Sequence, residues 1–232
     1  MRAFILAGGL GTRLRPVVDG IPKSMALLQG KPFLEYQLSW LKKNGFREII
    51  LCTGYLSKMI EAYFGCGEIL GLRLYYAKEE TPLGTAGALK NAASFVDGAF
   101  LVVNGDTLID LELSTLISFH QQKTGTVTLV LARTGQPGSY GQVAIDQEAR
   151  IVAFLEKPRT NFTSKFVNAG IYLMEPAILQ YIPDHRKVSL ELETFPLLVR
   201  KRELFTFPVD TTFVDIGTPE NYYRLQEEKG AF

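Results

Sequence analysis

The chain has 232 residues, enough for one large domain or two small ones, and 47% of them are hydrophobic, as a soluble globular protein with a sizeable core requires. Its 25 basic and 24 acidic side chains leave a net charge of +1, which argues against any global attraction to nucleic acid or to an acidic membrane surface. The 2 cysteines, Cys52 in an apolar run and Cys66 between glycines, are too few for a disulfide framework and point to a reducing, cytoplasmic setting.

Ala3 to Ala7 is a short continuous apolar run, the pattern of a strand buried on both faces, and too short for a signal or membrane segment. A glycine-rich loop follows it. Pro32 is placed to open a helix, Leu34, Leu38 and Leu41 recur at helical spacing, and Asn44-Gly45 ends it. Glu48 to Thr53 reads as a strand, and Ser57 to Phe64 as a helix with Ser57 as its N-cap. Leu72 to Lys78 reads as a strand, Gly87 to Phe95 as a helix and Phe100 to Val103 as another buried strand. Leu113 to Thr124 is an amphipathic helix that His120 closes, as a structural or exposed residue. Thr126 to Arg133 is a β-branched strand, Gly141 to Ile145 and Arg150 to Leu155 form a hairpin, and Val167 to Met174 is a further strand. Leu190 to Leu198 and Pro219 to Glu228 read as helices. The alternation up to about residue 125 predicts a mostly parallel sheet covered by helices, and the remainder a more antiparallel half of the same single domain, residues 1–232.

The strongest chemical signal is Leu6-Ala7-Gly8-Gly9-Leu10-Gly11-Thr12-Arg13-Leu14-Arg15. Glycines let backbone N–H groups approach phosphate oxygens without a Cβ in the way, and Arg13 offers a two-pronged donor to phosphate. Read without context, the same stretch is a tight turn with surface arginines. It lacks the Gly-Lys-Ser/Thr of a Walker A loop, and Leu14 stands where a dinucleotide fingerprint needs its third glycine. His120 and His185, the 2 histidines, do not sit in a ligand-spaced cluster, which argues against zinc.

Gly8-Gly9-Leu10-Gly11-Thr12-Arg13-Leu14-Arg15-Pro16 followed by Pro22-Lys23 resembles the signature of the sugar-phosphate nucleotidyltransferases, and the resemblance continues through Thr81 to Gly87, Asn104-Gly105-Asp106, Tyr140-Gly141, Glu156-Lys157-Pro158, Asn168-Ala169-Gly170 and Asp215-Ile216-Gly217-Thr218-Pro219. It implies a Rossmann-like α/β fold, a mostly parallel mixed sheet with helices on both faces, known as the nucleotide-diphospho-sugar transferase fold. It implies a nucleotide half over about residues 1–125 and a sugar-phosphate half over about residues 126–232. It implies further that Arg13, Lys23, Asp106, Lys157 and Asp215 carry catalysis. Leu6, Gly8, Gly9, Gly11, Thr12, Arg13, Lys23, Glu79, Gly84, Thr85 and Asp106 would hold the nucleoside triphosphate. Gly141, Glu156, Lys157, Asn168 and Gly170 would hold the sugar 1-phosphate, and Asp106 with Asp215 would bind Mg2+, which favours a few carboxylates plus substrate phosphates.

Val17 to Ala26 and Gly30 to Tyr36 resemble most the bacterial D-glycero-D-manno-heptose 1-phosphate guanylyltransferases, so GTP and a heptose 1-phosphate are the expected substrates, with mannose 1-phosphate next, then uridylyl and thymidylyl chemistry. The acidic pair Glu79-Glu80 suits the N1–H and N2–H₂ donors of guanine. Ser24 departs from the family, which commonly has proline there, and is expected to loosen the loop behind Lys23. Non-catalytic subunits of this fold tend to lose the arginine, lysine or aspartates, all of which are present here. Homo-oligomer formation is compatible with the sequence.

Overall fold

In the computed structural model, residues 1–133, 142–155 and 166–227 are described. The first strand, β1 (Ala3–Leu6), lies between β4 (Glu48–Thr53) and β6 (Phe100–Asn104), parallel to both, and β5 (Arg73–Lys78) continues the parallel half outside β4. On the other side come β11 (Phe166–Met174), β8 (Val127–Arg133), β12 (Leu204–Asp215) and the short β7 (Thr107–Ile109), giving the order β5-β4-β1-β6-β11-β8-β12-β7. β11 runs antiparallel to both neighbours, β12 runs parallel to β8, and β7 is antiparallel to β12. Two small ribbons complete the strands: β2 (Leu27–Leu28) with β3 (Lys31–Pro32), and β9 (Gln142–Ile145) with β10 (Ile151–Leu155).

The continuous apolar runs read from the sequence arise because both sheet faces are covered. Ala3, Ile5, Ile49, Leu51, Leu101 and Val103 pack under α1 (Phe33–Lys43), α2 (Ser57–Phe64) and α4 (Leu113–Gln122). Phe4, Ile50, Phe100 and Val102 point the other way, under α3 (Gly84–Asn91) and α5 (Phe195–Lys201). Phe4 is fully buried, its ring 5.0 Å from that of Phe100, and burying such a side chain stabilises the fold by about 1.5–3 kcal/mol. A third cluster packs α6 (Pro219–Glu227) through Tyr222 and Leu225 against Leu14, Ala26 and Leu28, which anchors the glycine-rich loop to the C-terminal end of the chain.

Several expectations are corrected in detail. Pro32 caps α1 from outside at φ −56° and ψ 139°, so the helix opens at Phe33. Ser57 is the first residue of α2; the cap is Leu56, in the left-handed region at φ 55°. The third helix starts at Gly84 and not Gly87, because Val188 O reaches in to accept from Ala86 N and Gly87 N at 3.0 and 3.3 Å and satisfies its first turn. Leu190–Thr194 forms a π turn before α5. The 12-residue strand β12 was not anticipated: Pro208 and a register shift between Val209 and Thr212 break its apolar alternation. Its pairing with β8 is parallel, while the other pairings of the second half among the described residues are antiparallel, as expected. Pro219 does open α6, with Thr218 Oγ1 accepting from Asn221 N at 3.3 Å. His120 is buried, with Nδ1 2.7 Å from Thr128 Oγ1 and Nε2 3.3 Å from Glu175 Oε1. Among the described residues no helix is long and apolar enough to cross a membrane.

Candidate active site

Strands β1 and β6 end side by side, and the loops leaving their carboxyl ends form a cavity of about 430 Å³. Open α/β sheets bind ligands at such ends. The cavity is lined by Leu6 at the end of β1, by Gly8, Gly9, Gly11, Thr12 and Arg13 from the loop that follows, and by Lys23. Glu79, Gly84, Thr85 and Asp106 line its other walls. All eleven residues expected on the nucleotide side therefore share one surface.

The glycines there have distinct reasons. A Cβ on Gly8 would come within 2.7 Å of Glu79 Oε1, and one on Gly54 would meet the same atom at 2.7 Å, so the pair makes a slot for the Glu79 carboxylate. Glu79 Oε2 accepts from Leu83 N at 3.1 Å, and burial raises the carboxyl above its ordinary value. Gly84 has φ +74°, and a Cβ on it would lie 2.5 Å from Val188 O. Its lack of a side chain thus serves the approach of residues 186–188.

Lys23 forms an ion pair with Asp106, 83 residues further along the chain. Lys23 heads a 3-10 turn closed by Met25 N donating to Pro22 O at 2.8 Å and Ala26 N to Lys23 O at 3.0 Å. Ser24 is buried in that turn, whose closing hydrogen bonds are all backbone, and its hydroxyl makes none of them. Asp106 sits in the turn between β6 and β7, and buried Gln37 of α1 grips both sides of it: Nε2 donates to Asn104 O at 2.8 Å and to Thr107 O at 2.7 Å.

Asp215 arrives from β12. It is the register partner of Thr107, and the next residue donates from Ile216 N to Asp106 O at 3.0 Å. Strand pairing thus sets the two aspartates on adjacent segments. Asp215 Oδ1 accepts from Gly217 N at 2.5 Å, and Gly217 lines the cavity. Among the described residues no cluster of three or more histidine, cysteine, aspartate or glutamate side chains forms.

The chain matches the model of the nucleotidyl transferase family over residues 2–230. The chain belongs to that family. It is 41% identical over 225 residues to the mannose-1-phosphate guanylyltransferase of Mycobacterium tuberculosis, an alignment covering 96% of this chain but 62% of that longer relative. It is 38% identical over 228 residues to the D-glycero-alpha-D-manno-heptose 1-phosphate guanylyltransferase of Campylobacter jejuni, covering 97% of this chain and 98% of the relative. Among solved structures, HddC from Yersinia pseudotuberculosis complexed with GMP-PN superposes with a TM-score of 0.83 at 32% identity, covering 97% of this chain and 98% of that one. The fold is accordingly that of the nucleotide-diphospho-sugar transferases, and the family supports a sugar 1-phosphate nucleotidyltransferase enzyme.

Of the residues expected to hold the sugar 1-phosphate, Asn168 and Gly170 stand on β11 and do not line this cavity. Asn168 Oδ1 accepts from Gly170 N at 2.9 Å and its Nδ2 donates to Tyr172 Oη at 3.0 Å. Gly170 has φ +70°, and a Cβ there would lie 2.7 Å from Asn104 Nδ2, so its bareness accommodates Asn104. Thr85 Oγ1 donates to Glu191 Oε2 at 2.9 Å and accepts from Leu190 N at 2.8 Å, which commits its hydroxyl to protein partners. Gly141, Glu156 and Lys157 lie outside the described residues. Asn104, Lys187 and Glu191 join the site only in the fold. Lys187 and Asn104 line the cavity, and the 186–190 segment that carries Lys187 reaches it through the contacts of Val188 with Leu83, Ala86 and Gly87. No local motif around Lys187 signals that placement.

Proposed function

We propose that this nucleotidyl transferase moves a guanylyl group from GTP to D-glycero-D-manno-heptose 1-phosphate, giving GDP-heptose and pyrophosphate, in the synthesis of nucleotide-sugars for a bacterial surface polysaccharide. The observation that carries the reading is the convergence of the glycine-rich loop, Arg13, Lys23 and Asp106 on one cavity that also holds the Glu79 carboxylate. Glu79 has an oxygen in the slot beside Gly8, near the floor on which a base would rest, and a carboxylate there favours a base edge bearing N1–H and N2–H₂. The heptose assignment is supported by a relative that matches this chain end to end. The mannose reading is the second one, favoured by the higher identity to a mannose-1-phosphate guanylyltransferase.

The sugar-phosphate oxygen attacks the α-phosphorus in line. A new P–O bond forms as the bond from the α-phosphorus to the bridging oxygen breaks, and pyrophosphate leaves with that electron pair. The attacking oxygen is already ionised near neutral pH, so no strong base is needed. Arg13 and Lys23 offset the charge that gathers on the pyrophosphate, and Lys157 is assigned to the sugar phosphate. Gln37 and the strand pairing keep the two aspartates fixed before substrate arrives, so orientation is established in advance.

The family generally uses a divalent metal. Two hard carboxylates on adjacent segments, one of them already beside the ammonium of Lys23, form a donor set that suits Mg2+, which completes its shell with phosphate oxygens and water. Asp106 and Asp215 would hold it, and it would neutralise phosphate charge. The test is a matrix of GTP, ATP, UTP and dTTP against heptose, mannose and glucose 1-phosphates, reading pyrophosphate release. GTP with the heptose should give the highest kcat/KM; a clear preference for UTP or dTTP would remove the guanylyl assignment.

A further inference from the structure

Behind the cavity, one carboxylate collects three hydroxyls. Glu191 Oε2 accepts from Thr85 Oγ1 at 2.9 Å and from Ser189 Oγ at 2.8 Å, and Glu191 Oε1 accepts from Tyr172 Oη at 3.2 Å. Glu191 stands in the π turn Leu190–Thr194, a departure from α-helical geometry of a kind that recurs at functional sites. Thr85 belongs to the first turn of α3, against the nucleotide loop, whereas Tyr172 belongs to β11. The carboxylate therefore touches both halves of the molecule.

An ionised carboxylate only accepts hydrogen bonds, so it fixes the direction of every bond it makes. Tyr172 is fully buried and gives its proton to Glu191, which leaves its oxygen only lone pairs for Asn168. Asn168 must then present its Nδ2 to Tyr172 and its Oδ1 to Gly170 N, as observed. The Asn168 carboxamide is thus held in one orientation from two sides, by Gly170 N directly and by Glu191 through Tyr172. At the other end, Thr85 gives its proton to Glu191 and accepts from Leu190 N, which seats the 189–191 segment against α3.

We propose that Glu191 is a positioning residue that joins the two substrate sides, fixing the head of α3 through Thr85 and the orientation of Asn168 through Tyr172. The proposal rests on the reading of Asn168 as a sugar contact. Glutamine in its place would offer an N–H₂ to one of its partners and reverse the polarity of the chain. Aspartate keeps the acceptor character and restores part of it.

The experiment measures KM for GTP and for the sugar 1-phosphate turned over fastest among heptose, mannose and glucose 1-phosphates, with kcat and Tm, in Asn168→Ala, Tyr172→Phe, Glu191→Gln and Glu191→Asp. Tyr172→Phe should raise the sugar-phosphate KM about tenfold and leave the GTP KM within about twofold, the scale of one lost hydrogen bond to a charged group. Glu191→Gln should raise both KM values, and Glu191→Asp should recover part of the sugar-phosphate loss. Unchanged sugar-phosphate KM in Tyr172→Phe, with a raised value in Asn168→Ala, overturns the linkage and leaves the sugar contact standing. No effect of Asn168→Ala removes the sugar contact itself, and the proposal with it. If Glu191→Gln does not fold, Tyr172→Phe, which deletes one oxygen atom, decides the matter alone.

Discussion

Gln37 holds Asp106 in place without touching its carboxylate: one amide nitrogen donates to the carbonyls of Asn104 and Thr107, the residues that bracket the Gly105-Asp106 turn. Gln37 is fully buried, and its side-chain oxygen makes no hydrogen bond, so its amide nitrogen is the end that acts here. Gln37→Met keeps the side-chain length and removes the donor that bridges the Asn104 and Thr107 carbonyls, at a cost of about 1–3 kcal/mol. We expect kcat to fall at least about tenfold and the half-saturating Mg2+ concentration to rise, because the turn that carries Asp106 relaxes. A lower Tm with unchanged kcat and metal dependence would reduce Gln37 to a structural residue.

Asp106 itself meets Lys23 and, through strand pairing, lies next to the segment of Asp215. Asp106→Asn is nearly isosteric, so the fold should survive while turnover is abolished. Chelation by excess EDTA should have the same effect and be reversed by added Mg2+. Full activity in either condition would sink the two-aspartate site.

The base-reading role proposed for Glu79 would make GTP binding depend on pH. Burial raises its carboxyl above the usual 4.5, so it takes up a proton at a higher pH than an exposed glutamate does. Only the ionised form can accept from both N1–H and N2–H₂ of guanine. The GTP KM should therefore climb as pH falls from neutrality, with an inflection above 4.5, and Glu79→Gln should flatten that profile. The triphosphate's own titration persists in the variant and so provides the control. Identical profiles in the two proteins would show that Glu79 does not read the base.

Gly84 separates a packing role from a ligand role. Its φ of +74° and the 2.5 Å approach of Val188 O to a would-be Cβ leave no room for alanine. Gly84→Ala should cost about 1–3 kcal/mol of stability through backbone strain and pull the 186–188 segment off α3. Urea denaturation checks it: a midpoint equal to wild type would mean the segment accommodates a methyl group.

His120 predicts acid sensitivity far from the cavity. Burial depresses its pKa below 6.5, while Glu175 opposes the shift. A depressed folded-state pKa means the unfolded chain binds the proton more readily, so the contribution is present above about 6.5 and is lost as pH falls through that value toward the folded pKa. Denaturation midpoints at pH 8 and pH 5.5 should differ more for the wild type than for His120→Gln. An equal difference in both proteins would assign the acid loss to carboxylates elsewhere.

The sequence by itself determined the parallel half of the sheet and the set of residues that line the cavity at its strand ends. In a strand such as Glu48–Thr53, Ile49 to Cys52 form an unbroken apolar run buried on both faces, and glycine next to arginine is a local signal that needs no tertiary contact to read. What it could not determine is everything set by long-range pairing. The strand Leu204–Asp215 has a broken alternation, and its place beside β8 and β7 is fixed by partners that lie elsewhere in the chain. Glu191 and Gln37 look like a helical glutamate and a helical glutamine, and only the fold reveals that one collects three hydroxyls and the other spans the Asp106 turn. Gly84 and Thr85 sit on the cavity wall, as their motif implies, yet the fold commits the bare glycine to Val188 and the threonine hydroxyl to Glu191 and Leu190. Hydrogen bonds between residues 85 and 191, or 37 and 107, have no sequence period, because the geometry that closes them exists only after the sheet has formed.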